Sequence, residues 1–204
     1  MRSAVILAGG QSTRFGADKS LIPVGNRPTI RYVMDNVSGV VDEVVVVARD
    51  VEQGKRICSA IGEVNLAYDP IIGYGPVAGI LAGLRSARAE YVITLACDMP
   101  LVNPDIINLL FSLAKGYDAV VPKWPDGNLE PLHAVYKRSR MAKACEKAIE
   151  LGERIILAPL RALPRIRYVS TEELREIDLD LRTFINVNTP DDLEAIRLLL
   201  QNSE

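Results

Sequence analysis

Short apolar runs that alternate with segments of helical spacing constrain the fold of this chain more than any other feature of its sequence. Four such runs are rich in Val, Ile and Ala and cover residues 4–8, 44–48, 91–96 and 119–121. Their length and composition are typical of strands that are covered on both faces in a parallel sheet.

The segments between these runs have the spacing of helices, which we predict over residues 28–37, 52–61, 77–87 and 104–114. Pro28 suits a first helical position, and Asn103 can cap the last of these helices. The resulting β-α-β-α order predicts an α/β fold of the Rossmann-like, doubly wound kind, with a mostly parallel sheet and helices on both faces.

Beyond residue 123 the pattern is less regular. We predict strands over residues 132–136, 166–169 and 184–187, and helices over residues 141–151 and 190–200. No linker, repeat or low-complexity segment interrupts the 204 residues, so we expect a single domain, residues 1–204.

Composition argues against several classes of function. A formal net charge of −2 gives no basic excess for binding nucleic acid. The apolar runs fall well short of the roughly 20 residues of a membrane helix, and the N-terminal run is too short for a signal peptide. Three cysteines match no zinc or redox spacing and indicate reduced thiols. We therefore expect a cytoplasmic protein without membrane or nucleic-acid partners.

A glycine-rich segment with two basic residues, L-A-G-G-Q-S-T-R-F-G-A-D-K, follows the first predicted strand at residues 7–19. Open α/β sheets bind ligands at this end of the strands, and Gly9 and Gly10 allow backbone N–H groups to approach phosphates. Arg14 and Lys19 add positive charge. The segment is neither a Walker A loop nor a G-x-G-x-x-G fingerprint. A glycine turn with solvated basic residues is the alternative.

Three further segments carry candidate site residues at the ends of predicted elements. Asp98 follows the third predicted strand, where a carboxylate can hold Mg²⁺ together with phosphate oxygens. Gly75 and Gly79 flank a helix start and leave room for a base or ribose. Asn186 and Asn188 alternate along a predicted strand and would point the same way. Each segment also has a plain structural reading: a turn, close helix packing, or a strand end with a helix cap.

The motif at residues 7–19 resembles the signature of nucleotidyltransferases of the molybdenum cofactor guanylyltransferase type, the MobA-like family. The resemblance extends to C-D-M-P at residues 97–100, G-P-V-A-G at residues 75–79 and I-N-V-N-T-P-D-D-L at residues 185–193, and covers nearly the whole chain. It implies a sheet of the nucleotide-diphospho-sugar transferase type. Three residues stand where the family usually has Met, Asn and a small or apolar residue: Phe15, Arg49 and His133.

The resemblance implies transfer of GMP from GTP to molybdopterin, with release of pyrophosphate and with Mg²⁺ as cofactor. It implies that Asp98 is the metal ligand and that Arg14, Lys19 and Asp98 act in catalysis. The implied GTP-binding residues are Leu7, Ala8, Gly9, Gly10, Lys19, Asp69, Gly75 and Asp98. Asn186 and Asn188 would bind the acceptor. Transient contact with molybdoenzyme apoproteins or other cofactor-assembly proteins is a further expectation.

Two alternatives stay open at this point. A cytidylyl- or uridylyltransferase acting on a pterin, a sugar phosphate or another phosphorylated acceptor would have the same phosphate-binding segment. A non-catalytic carrier of nucleotide or cofactor would keep Lys19 and the glycines but tolerate the loss of Asp98. The single histidine, His133, excludes a metal site built on histidines and is most simply a packed strand residue.

Overall fold

The computed structural model describes residues 1–9, 18–71 and 74–201. The described strands are β1 (Arg2–Leu7), β2 (Pro23–Val24), β3 (Arg27–Pro28), β4 (Glu43–Ala48), β5 (Asn65–Tyr68), β6 (Tyr91–Ala96), β7 (Ala119–Lys123), β8 (His133–Lys137) and β9 (Ile166–Ser170). The described helices are α1 (Thr29–Ser38), α2 (Val51–Ile61), α3 (Pro76–Ser86), α4 (Pro104–Ser112), α5 (Arg138–Glu150), α6 (Leu157–Arg161), α7 (Thr171–Leu174) and α8 (Pro190–Gln201). Within these ranges, no helix combines the length and apolar character that crossing a bilayer requires.

Seven strands form one sheet in the order β5-β4-β1-β6-β8-β7-β9, and β2 pairs with β3 in a separate hairpin. β8 runs antiparallel to β6 and β7, whereas the other pairs in the large sheet are parallel. β1 lies between β4 and β6, so the chain crosses over to both sides of its first strand. The predicted mostly parallel, doubly wound α/β sheet is confirmed.

Alternation of side chains along the strands divides the core into two layers. Ile6 of β1 belongs to the layer formed with α1, α2 and α4. Its neighbour Val5 belongs to the opposite layer, formed with α3 and α5. Because helices cover β1 on both faces, polar groups that serve a ligand have room only beyond its end.

The predicted strand over residues 184–187 is wrong. A 3-10 turn covers Arg182–Phe184, and it follows Leu181 in the left-handed conformation at φ 52°. The segment then passes the end of β6, where the N–H of Val187 donates to the carbonyl of Asp98 at 2.8 Å. Val187 is buried against the hairpin and α8, outside the sheet. The alternation of apolar and polar residues over 185–188 therefore resembles a strand without strand pairing, because Ile185 and Val187 both pack in this small cluster.

α3 packs closely on the sheet because two of its positions are glycine. A Cβ at Gly83 would lie 2.3 Å from Cγ1 of Val5 and 2.9 Å from Cγ2 of Val47. At Gly79 a Cβ would lie 3.6 Å from Cδ2 of Leu7. The close approach at Gly83 leaves no space for a side chain. The contacts at Gly79 place the first half of α3 beside the ends of β1 and β4.

We expect Gly83→Ala to destabilise the protein by about 1–3 kcal/mol, because the added methyl overlaps valine side chains of the central strands. Gly39→Ala is the matched control. Gly39 has right-handed helical dihedrals, and apart from Gly39 and its two chain neighbours no described atom lies within 4 Å of its Cβ position. Urea unfolding of both variants measures the difference. Equal unfolding free energies would contradict the packing argument.

Candidate active site

A cavity of about 610 Å³ opens at the carboxyl ends of β1, β4, β5 and β6. Most of the predicted site residues line it, namely Leu7, Ala8, Gly9, Lys19, Asp69, Gly75, Asp98 and Asn186. Asn188 reaches the same place through a hydrogen bond to Lys19. Gly10 and Arg14 lie outside the described residues. The structure thus brings together residues that are up to 179 positions apart in the chain, from Leu7 to Asn186.

Lys19 and Asp98 form an ion pair in this cavity. Nζ of Lys19 lies 3.2 Å from Oδ2 of Asp98, and the two side chains are only 22% and 16% exposed. The same Nζ donates to Oδ1 of Asn188 at 2.8 Å. Reduced contact with water strengthens the interaction of these charges with each other and with a charged ligand.

The backbone on either side of Lys19 is held by its neighbours. Oδ1 of Asp18 accepts hydrogen bonds from the backbone N–H of Ser20 at 3.1 Å and from its hydroxyl at 2.6 Å. These bonds cap a 3-10 turn over Lys19–Leu21, in which Ser20 is buried. The turn fixes the position from which the Lys19 side chain extends into the cavity.

Asn188 is placed by the start of α8. Oδ2 of Asp192 accepts from the N–H of Asn188 at 2.9 Å and of Thr189 at 2.8 Å, while the hydroxyl of Thr189 accepts from the N–H of Asp192 at 3.2 Å. This is a reciprocal helix cap. The hydrogen bond from the Asn188 backbone is the largest reason why the pKa of Asp192 lies below its ordinary value.

The cation-binding capacity of the cavity rests on Asp98. Within the described residues, no group of three or more His, Cys, Asp and Glu side chains is arranged to hold a metal. A cation held entirely by protein ligands therefore does not fit here. One carboxylate is nevertheless sufficient for Mg²⁺ when phosphate oxygens and water complete its coordination, and Asp98 fits that role.

Asp69 and Gly75 form the wall near the start of α3. The N–H of Asp69 donates to the carbonyl of Ala48 at 2.9 Å, which extends the pairing of β5 with β4. Burial raises the pKa of the Asp69 carboxyl, although the hydrogen bond from the N–H of Ile71 opposes this. Gly75 has φ 109°, and a Cβ there would lie 2.9 Å from the carbonyl oxygen of Arg154. This wall combines one carboxylate with exposed backbone.

The wall beyond Asp98 contains Asn186, Glu130 and Leu132. The side-chain oxygen of Asn186 is buried and has no hydrogen-bond partner among the described residues. A buried acceptor usually has a partner, so a ligand or water in the cavity is expected to supply one. Although the predicted strand is wrong, both asparagines reach the site.

Glu130 is a site residue for which the sequence analysis predicted no role. Its Oε1 accepts a hydrogen bond from Nε1 of Trp124 at 2.7 Å. Burial raises the pKa of the Glu130 carboxyl, and the bond from Trp124 opposes the rise. The sequence held one signal for it, an acidic residue three positions before the strand that begins at His133.

His133 is fully buried and does not line the cavity. Its Nε2 lies 3.4 Å from the hydroxyl of Thr183, and its ring meets Phe184 edge-on with centroids 5.0 Å apart. Burial lowers the pKa of His133 to about 3. The side chain is therefore uncharged near neutral pH, in agreement with the packed strand residue favoured by the sequence.

Comparison with known proteins identifies relatives over nearly the whole chain. Residues 4–166 match the family described as the MobA-like NTP transferase domain. A probable molybdenum cofactor guanylyltransferase of Methanosarcina mazei is 40% identical over 199 residues, which are 95% of this chain and 88% of that protein. A protein of the same description from Natronomonas pharaonis is 39% identical over 96% of each chain.

A solved structure agrees with these sequence matches. Molybdopterin-guanine dinucleotide biosynthesis protein A of Archaeoglobus fulgidus is similar to this chain with a TM-score of 0.84 and 35% identity. The match covers 99% of this chain and 100% of the other. The arrangement of the sheet and its helices is therefore shared across the full length.

We expect stability to fall as the pH drops below about 6.5, partly because of His133. The unfolded chain takes up a proton there, whereas the folded pKa of about 3 keeps the buried ring neutral. This histidine contributes a loss of up to about 1.4 kcal/mol per pH unit. Urea unfolding at about pH 7.5 and 5.5 should show a steeper decline in wild type than in His133→Leu. Parallel declines would contradict the assignment.

Proposed function

Because the chain belongs to the MobA-like NTP transferase family, we propose that it is a nucleotidyltransferase that moves GMP from GTP onto molybdopterin and releases pyrophosphate. The names of its relatives supply the base and the acceptor. The observation in this chain that carries the proposal is the pairing of Lys19 with Asp98 at 3.2 Å. The pair lies at the end of the glycine-rich segment, in a cavity of the size that small-molecule ligands occupy.

The triphosphate binds against the segment after β1. Gly9 and Gly10 allow the backbone to approach the phosphates, and Arg14 and Lys19 bring positive charge. In the proposed complex the Lys19 ammonium interacts with the β- and γ-phosphates and neutralises charge on the departing pyrophosphate. Leu7 and Ala8 form the adjoining floor of the cavity.

The nucleoside occupies the side of the cavity near α3. The Asp69 carboxylate accepts hydrogen bonds from the nucleoside, and Gly75 permits a base or ribose to lie against backbone. The acceptor occupies the other side, beyond Asp98, where Asn186 and Asn188 bind its polar groups. This division agrees with the position of the cavity at the turning point of the sheet, where doubly wound folds bind ligands.

Asp98 is the residue that would hold Mg²⁺. The bound ion supplies charge neutralisation on the phosphate oxygens. Asp98 also has a second role, which is to position Lys19. Its carboxylate keeps the Lys19 ammonium directed into the cavity when no nucleotide is present.

The transfer is an in-line displacement. A phosphate oxygen of molybdopterin forms a bond to the α-phosphorus of GTP, and the bond from that phosphorus to the bridging oxygen breaks. The attacking phosphate is largely ionised at neutral pH, so the reaction requires no strong base from the protein. This agrees with the neutral state of His133 and with the raised pKa of the Cys97 thiol, which is due mainly to burial. Positioning and electrostatic stabilisation carry the catalysis.

The proposed function also implies a cellular location and contacts for the protein. Cys58, Cys97 and Cys145 are free thiols, which agrees with the reducing cytoplasm that we propose as its location. The product is a cofactor, so transient contact with molybdoenzyme apoproteins or other cofactor-assembly proteins belongs to the proposal. Membranes and nucleic acids have no part in it.

Calorimetric titration with GTP, CTP, UTP and ATP in the presence of Mg²⁺ tests the donor. We expect GTP alone to bind tightly, and we expect Lys19→Ala to weaken binding about 10- to 100-fold because a charge-assisted contact to phosphate is lost. Lys55→Ala removes an exposed lysine of α2 and should bind like wild type. Preference for CTP or UTP would overturn the guanylyl assignment, and failure to bind any triphosphate would overturn the enzyme assignment.

Pyrophosphate release from GTP and molybdopterin tests Asp98. At saturating Mg²⁺ we expect Asp98→Asn to lower kcat about 100-fold or more, since a charged group at the reacting phosphates is lost. Asp105→Asn is the control, because Asp105 is an exposed acid in the first turn of α4. A wild-type rate in Asp98→Asn would remove Asp98 from its proposed role.

A further inference from the structure

We infer that Gln53 is a positioning residue for the glycine-rich segment at residues 7–19. It connects Ala8 near the start of this segment with Asp18 near its end, and so holds Lys19 in place for the triphosphate. The inference rests on the proposed function, because it assigns Gln53 to the support of the nucleotide site. Gln53 lies on α2 and is fully buried. It does not line the cavity, so it acts through other residues.

The carboxamide of Gln53 contacts both ends of the segment. Its Nε2 donates to the carbonyl oxygen of Ala8 at 2.9 Å and to Oδ2 of Asp18 at 2.8 Å. Ala8 directly follows β1, and Asp18 directly precedes Lys19. One nitrogen atom therefore bridges the points where the chain leaves the sheet and where it enters the turn that carries Lys19.

The orientation of this amide is determined by its partners. Both N–H groups of Nε2 are used, and Oε1 accepts from the backbone N–H of Arg49 at 2.7 Å. With nitrogen and oxygen exchanged, the oxygen would face the Ala8 carbonyl and the Asp18 carboxylate, and the amino group would face an N–H. Only the observed orientation satisfies all three partners.

A helix cap holds the backbone of α2 at Gln53. Oδ1 of Asp50 caps the helix by accepting from the N–H of Gln53 at 2.7 Å. Oε1 of Gln53 in turn binds the residue that follows β4, namely Arg49. The side chain is thus a rigid connection between the ends of β1 and β4 and the residue before Lys19.

Asp18 transmits this connection to Lys19. One of its carboxylate oxygens binds Gln53, while the other caps the turn through Ser20. Without Gln53, the Asp18 carboxylate loses a fully buried donor, and the turn can shift relative to Ala8. The Lys19 ammonium would still pair with Asp98 and Asn188, but the backbone that carries it would be held less firmly relative to Ala8. Nucleotide binding would then have to fix that backbone, which weakens binding.

The test compares Gln53→Met, which keeps the length of the side chain and removes its hydrogen bonds, with Ser3→Ala. Ser3 is a matched control because it is equally buried, and its hydroxyl donates to Oε2 of Glu43 at 2.6 Å at the opposite end of β1. We expect both variants to lower Tm. Only Gln53→Met should raise the KM and Kd for Mg·GTP, by about 10- to 100-fold, with a smaller change in kcat at saturating GTP.

A paired substitution supplies a rescue. Gln53→Glu should weaken GTP binding more than Gln53→Met, because the new carboxylate faces Asp18 and the Ala8 carbonyl. Adding Asp18→Asn restores a donor opposite that carboxylate and should recover part of the affinity. Asp18→Asn alone should weaken binding, since the side-chain N–H groups would then oppose each other. Additive losses in the double variant would overturn the inference.

Hydrogen exchange of the nucleotide-free protein tests whether Gln53 holds the turn without relying on the proposed function. The amides of Ser20 and Leu21 are hydrogen-bonded to Asp18, and they should exchange faster in Gln53→Met than in wild type or Ser3→Ala. Unchanged exchange, or unchanged GTP affinity in Gln53→Met, would overturn the role of Gln53 and leave the proposed function standing. If wild type binds no triphosphate, the proposed function fails, and the exchange rates alone decide whether Gln53 holds the turn.

Discussion

The site depends on hydrogen bonds that continue beyond the ends of parallel strands. The N–H of Ala8 donates to Val47 at 2.9 Å, the N–H of Cys97 to Leu7 at 3.1 Å, and the N–H of Asp69 to Ala48 at 2.9 Å. Since these bonds keep the ladder spacing, the first residues beyond β1, β5 and β6 emerge side by side. The backbone after β1 is thereby placed between the carboxylates of Asp69 and Asp98, at the sheet end where open α/β folds bind ligands.

Lys19 and Asp98 neutralise each other in the site without nucleotide. The Lys19 ammonium lies between the Asp98 carboxylate and the Asn188 amide, so neither charge is left unpaired in a half-buried position. Below this pair, the uncharged carboxamide of Gln53 joins the Asp18 carboxylate to backbone carbonyl and N–H groups. The hydrogen bonds that hold the end of the glycine-rich segment are thus all made within the protein. They position the residues that are proposed to contact the phosphates.

An element that is formed by local interactions can be predicted from the sequence, whereas an element that depends on contacts between distant segments cannot. β1, β4 and β6 are continuous apolar runs buried on both faces. Such runs can be recognised as strands from the sequence without knowing their partners. β5 has one buried residue, Ala67, and exists because its backbone pairs with β4. The segment around Val187 has the alternating apolar and polar residues of a strand, but it packs on α8 and the hairpin. Such alternation indicates that the apolar residues are buried, and it does not indicate which element buries them.

The sequence by itself determined the central sheet, the helices on both of its faces and most of the residues that meet at the strand ends. Strand periodicity and glycine-rich turns are local properties, and they carry this information without reference to distant residues. Only the tertiary structure decided the contacts between distant segments: the pairing of Lys19 with Asp98 and Asn188, the entry of Glu130 into the cavity wall, and the bridging of Ala8 and Asp18 by Gln53. A buried glutamine in a helix has no local signature, since its role depends on which backbone ends are brought within hydrogen-bonding distance.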